Sequence, residues 1–125
     1  MFNKMQPNTD IELNSRRTNK VIKANILPDE KMKAIGFTDY NNAQWHFWKY
    51  LDNEISLDIT IPKDRSDIDI VTLDENFLQP YDYQYILSKH HNFKFALGIK
   101  EKVEEWMTYL TKKGVIYGWV KGMYI

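Results

Sequence analysis

Paired carboxylates are the side chains in this sequence best suited to chemistry. Asp67 and Asp69 stand two apart in Ser66-Asp67-Ile68-Asp69-Ile70-Val71. Alternate residues of a strand project from one face, so the pair could offer two hard oxygen ligands to a divalent cation such as Mg²⁺. Asp74, Glu75 and Asp82 could add ligands, but no glycine-turned loop of regularly spaced acids surrounds them, which argues against an EF-hand. His46, His90 and His91 form no i, i+4 pair, and adjacent helical side chains diverge by about 100°, so they give no metal signature. The chain contains no cysteine, which excludes disulfides, thiolate metal sites and a cysteine nucleophile.

The string Ser66 to Val71 resembles the Asp-x-Asp strand of nucleotidyltransferases, in which two carboxylates on one strand face hold metal against a nucleoside triphosphate. That resemblance implies a metal-dependent nucleotide-handling enzyme using Asp67 and Asp69. It covers these six residues only. The family receives its triphosphate on a Gly-Ser helix start upstream, whereas this chain has no glycine from Phe37 to Leu97, so the phosphate cradle is missing. A solvated acidic strand edge accounts for the same residues, and no catalytic residue, metal site or cofactor is expected.

A second group of residues suits binding. Trp45 to Leu51, Ile55 to Ile61 and Ile68 to Leu73 are short runs rich in β-branched and aromatic residues, separated by Asp52-Asn53-Glu54 and by Pro62 to Asp67. They predict a three-stranded antiparallel meander. Ile55, Leu57, Ile59 and Ile61 alternate with Ser56, Asp58 and Thr60, so the middle strand is half buried. Pairing across the first turn aligns Leu51 with Ile55, Phe47 with Ile59 and Trp45 with Ile61 on the core face. His46, Trp48 and Tyr50 then fall on the other face, beside Ser56, Asp58, Thr60, Asp69 and Val71. A Trp-Tyr surface with carboxylates beside it suits a protein interface or a cationic ligand. His46, Trp48, Tyr50, Asp58 and Asp69 are therefore the candidate partner face, for another protein or a second copy. The competing expectation is that the N-terminal segment or the C-terminal tail folds over them.

The elements that must carry this face follow from punctuation along the chain. Residues 1–20 contain Asn3, Asn8, Asn14, Asn19 and Pro7 with little periodicity, and are expected to be a flexible polar arm to a single α+β domain over 21–125. Val21 to Leu27 suggests a short strand. Pro28, Asp29 and Glu30 suit a first helical turn that Gly36 ends. Pro80 is expected to open a second helix carrying Tyr83, Ile86, Leu87 and His90. A third runs from Asn92 as N-cap to Lys113, with Ile99, Val103, Trp106, Met107 and Leu110 on one stripe. The tail from Val115 is β-prone but broken by Gly118 and Gly122, either a fourth, edge strand or a packed irregular end. The expected fold class is α+β: a small meander of three strands, or four with the tail, two C-terminal helices on one face and a short N-terminal helix.

Composition then limits the partners. Lysine plus arginine and aspartate plus glutamate both total 17 in 125 residues, so no net charge steers the chain to nucleic acid or anionic lipid. The charges are segregated: residues 51–82 are net −7, while residues 1–23 carry five basic and two acidic groups. A short helix, three strands and a C-terminal helix also describe the layout of double-stranded RNA-binding domains, but an acidic sheet repels phosphate. Only Arg16, Arg17, Lys20 and Lys23 in the arm offer a nucleic-acid alternative. No apolar run approaches the roughly 20 residues that span a bilayer, so no membrane role and a cytoplasmic location are expected. Fourteen lysines against three arginines, with abundant Asn and Ile, suggest an AT-rich bacterial or phage genome. The sequence thus predicts a small accessory or regulatory protein that binds another protein and catalyses nothing.

Overall fold

Pro28 pre-sets the backbone for a first helical turn, and Gly36 ends it. In the computed structural model, which describes residues 21–64 and 67–125, helix α1 spans Asp29–Ile35 with both acidic residues in its first turn. Gly36 sits at φ 125°, where its N–H donates to the carbonyls of Met32 and Lys33. Helix α2 spans Tyr83–Lys89 and starts later than expected, because the Asp82 carboxylate accepts the Tyr85 N–H at 3.0 Å and caps it there. Pro80, expected as the helix opener, lies instead in a strand. Helix α3 spans Lys94–Lys112; Phe93 rather than Asn92 precedes its first turn, with no side-chain cap. Its buried residues Ala96, Ile99, Val103, Met107 and Leu110 follow helical spacing, as one face turned to a core requires.

Among the described residues seven strands form two sheets. In chain order they are β1 (Lys23–Ala24), β2 (Thr38–Tyr40), β3 (Gln44–Tyr50), β4 (Ile55–Pro62), β5 (Asp69–Asp74), β6 (Gln79–Pro80) and β7 (Ile116–Tyr117). Strands β2-β3-β4-β5-β6 make a five-stranded sheet in sequential order, antiparallel throughout. Strands β1 and β7 form a separate antiparallel pair, Lys23 opposite Tyr117 and Ala24 opposite Ile116.

The fold is therefore α+β, but the expected count of three or four strands in the meander is corrected to five. Strand β2 is added because Asn41 and Asn42 take left-handed backbones, φ 56° and 58°, and turn the chain into a hairpin with β3. Strand β6 is added because Leu73 and Asp74 pair with Pro80 and Gln79 at the sheet edge, where a missing N–H is tolerated. The tail supplies no further meander strand; its strand pairs with β1.

The central register follows from the turn chemistry. Asp52 Oδ1 accepts the N–H groups of Glu54 and Ile55, both at 2.8 Å, and Leu51 N–H donates to the Ile55 carbonyl at 2.7 Å. Trp45 then faces Ile61 and Phe47 faces Ile59. Their side chains are buried with Leu57, Ile70, Val103 and Met107 in one hydrophobic cluster. Trp106 of α3 meets Phe47 edge-on at 5.5 Å, which places α3 on this face of the sheet. Among the described residues no helix is long and apolar enough to cross a membrane. The expected arm of residues 1–20 lies outside the described residues.

Candidate functional site

Strand parity sends every second side chain of the sheet away from the helices. On β3 these are Gln44, His46, Trp48 and Tyr50; on β4, Ser56, Asp58 and Thr60; on β5, Asp69, Val71 and Leu73. All five residues singled out from the sequence, His46, Trp48, Tyr50, Asp58 and Asp69, thus lie on one face. Trp48 remains 40% exposed and Tyr50 53%, against 1% for Trp45 on the opposite face. The Trp48 and Tyr50 rings meet edge-on with centroids 4.6 Å apart, so each braces the other.

Beside them the face is hollowed. Tyr40, His46, Asp58, Thr60, Asp69 and Val71 line much of a depression of about 320 Å³. His46 Nε2 contacts Asp58 Oδ1 across the β3–β4 pair. That contact fixes the orientation of the ring. Tyr40 comes from β2, a strand that sequence reasoning left out, and so it was missing from the candidate residues.

Glu75 is the other residue the sequence did not single out for this face. Its Oε2 accepts from the Ser56 hydroxyl and, at 3.1 Å, from the Trp48 indole N–H. Ser56 is fully buried although it points to the outer face, because this cluster closes over it. The Ser56 hydrogen bond, aided by Trp48 and opposed by burial, holds the Glu75 carboxyl below its ordinary range. A carboxylate whose pKa falls on folding adds stability above its unfolded value, and that stability is lost as pH drops through the lower folded value. In Glu75→Gln, the gap between urea midpoints measured at about pH 7 and about pH 3 should narrow relative to wild type. An unchanged gap would remove Glu75 from the acid response.

Asp67 and Asp69 do not converge. Asp69 begins β5 on the outer face, whereas Asp67 precedes the strand and lies 3.7 Å from Lys23 Nζ, in a separate cleft with Ile61, Ile68 and Tyr117. Among the described residues no three His, Asp or Glu side chains gather as a metal site. Lys23 is thus paired with Asp67, while Arg16, Arg17 and Lys20, the rest of the basic alternative, lie outside the described residues. The C-terminal tail does not cover the outer face: Ile125 N–H donates to the Tyr83 hydroxyl at 3.3 Å, and Gly122 N–H to Glu104 at 2.9 Å, on the helix side.

Fold and face together define a small α+β protein built on an antiparallel meander, helices on one side and aromatic and acidic residues on the other. Among solved structures the chain is similar to the crystal structure of a DUF1831 family protein from Lactobacillus plantarum, with a TM-score of 0.58 and 14% identity over 76% of this chain and 82% of that one. At that identity the likeness shows the fold alone. No family model matches the sequence, and no curated protein matches it.

Proposed function

We propose that this is a small accessory or regulatory protein of the cytoplasm that binds another protein through the outer face of its five-stranded sheet. The observation supporting this reading is the exposure of Trp48 and Tyr50 on a sheet whose other face holds the core. Large rings held rigid on strands add contact area at little entropic cost, and tryptophan and tyrosine dominate interface hot spots. The separation of Asp67 from Asp69 weighs against the nucleotide-handling alternative.

A photoreactive phenylalanine analogue placed at position 50, irradiated in host cells, tests it. A discrete protein adduct is expected from position 50, abolished by Trp48→Ala, with none from position 120 on the exposed tail. An adduct of twice the monomer mass would identify the partner as a second copy. Equal labelling from positions 50 and 120, or none from 50, would sink the reading.

A further inference from the structure

The two faces of the sheet differ in charge as well as in polarity. The lysines of β3 and of the residue after β4 lie on the helix side. Lys49 Nζ sits 5.5 Å from the ring centres of both Phe47 and Trp106, and Lys63 Nζ sits 4.6 Å from that of Trp45 and 2.8 Å from Asp39. The outer-face positions of β2 to β6 carry Asp58 and Asp69 and no lysine or arginine, and the Glu75 carboxylate is fastened over them by Ser56 and Trp48. Tyr40, Trp48 and Tyr50 stand exposed or half-exposed among these carboxylates.

We infer that the partner presents an extended basic segment to this face, its lysine or arginine side chains lying against Trp48, Tyr50 and Tyr40 and pairing with Glu75 and Asp58. The inference rests on the open-face reading and names the chemistry of the occupant. A cation over an aromatic ring is drawn to the ring's negative face, and a carboxylate alongside adds to that attraction. Glu75 is already held by two donors, so a cation meets an anion that need not reorganise. A purely apolar partner would strip the remaining water from the Glu75 carboxylate and offer no cation in return, and an acidic partner or a phosphate backbone would be repelled. A strand laid along β3 directs a side chain at the face every second residue, about 7 Å apart, which matches the alternate rows set by Tyr50, Trp48 and His46.

The probe is a twelve-residue peptide alternating lysine with threonine, with a glutamate-threonine peptide as control, titrated into the full chain labelled with ¹⁵N. The indole N–H of Trp48 should shift saturably with the lysine peptide and not with the glutamate peptide, while that of buried Trp45 stays put. Glu75→Gln should weaken binding about fivefold or more, and Trp48→Ala, followed through the backbone amides of Thr60 and Val71, by a similar factor. Added salt should weaken it further. Shifts centred instead on Glu101, Glu104 and Glu105, the acidic stretch of α3, would overturn the inference, as would wild-type affinity in Glu75→Gln. So would a Trp48 signal that moves only with protein concentration, which would identify a second copy as the occupant. A protein adduct from position 50 without lysine-peptide binding would leave the open-face reading intact and remove the basic occupant. Absence of both would remove the two together.

Discussion

Trp45→Ala is expected to cost about 3 to 5 kcal/mol of folding stability, and Trp48→Ala no more than about 1 kcal/mol, although the two residues stand three apart on one strand. Trp45 is 1% exposed, faces Ile61 and carries the Lys63 ammonium over its ring, so its removal leaves a cavity in the core. Trp48 gives up one hydrogen bond to Glu75 and an edge contact with Tyr50, in a place water can refill. Urea melts of both variants at neutral pH separate the two sizes. Equal losses would mean that Trp48 is packed under other parts of the chain, and the outer face would cease to be a binding surface.

Gly118→Ala should be the more damaging of two alanine substitutions in the tail. Gly118 holds φ 89°, a backbone that side chains rarely adopt, and an added Cβ would fall 2.4 Å from the carbonyl oxygen of Val21. That oxygen belongs to backbone, so neither a rotamer nor a flexible side-chain end can yield, and the cost should reach about 2 kcal/mol or more. Gly122 has a similar φ of 97° but nothing within 4 Å of the added carbon, so Gly122→Ala should cost about 1 kcal/mol, the conformational part alone. Thermal melts of the two variants isolate the clash. Matching losses would show that Val21 and Gly118 separate at little cost.

The β3–β4 pairing was legible because Ile55 to Ile61 alternates strictly and Asp52-Asn53-Glu54 leaves room for a short turn only, so a slip by one residue would turn the isoleucines to water. Strand parity then assigned His46, Trp48, Tyr50, Asp58 and Asp69 to one face. What was not legible depended on longer reach or weaker local signals. Glu75 joins the face through Ser56 and Trp48, far away in sequence, and no spacing rule announces a side chain that folds back over a sheet. Strand β6 contains Pro80, whose fixed φ suits a helix start as well as a sheet edge. The Asn41-Asn42 pair was a readable turn signal, but Thr38-Asp39-Tyr40 before it is too short and polar to stand out as a strand.

The pairing of β1 with β7 has a kinetic consequence. Each hairpin of the meander closes a few residues of chain, whereas joining Lys23 to Tyr117 closes nearly the whole described domain into one loop. Loop entropy makes that contact costly until the meander and α3 have already brought its ends together. Interactions formed after the rate-limiting step act on unfolding and leave the folding rate nearly untouched. The clasp therefore governs how long the native state lasts rather than how quickly it is reached.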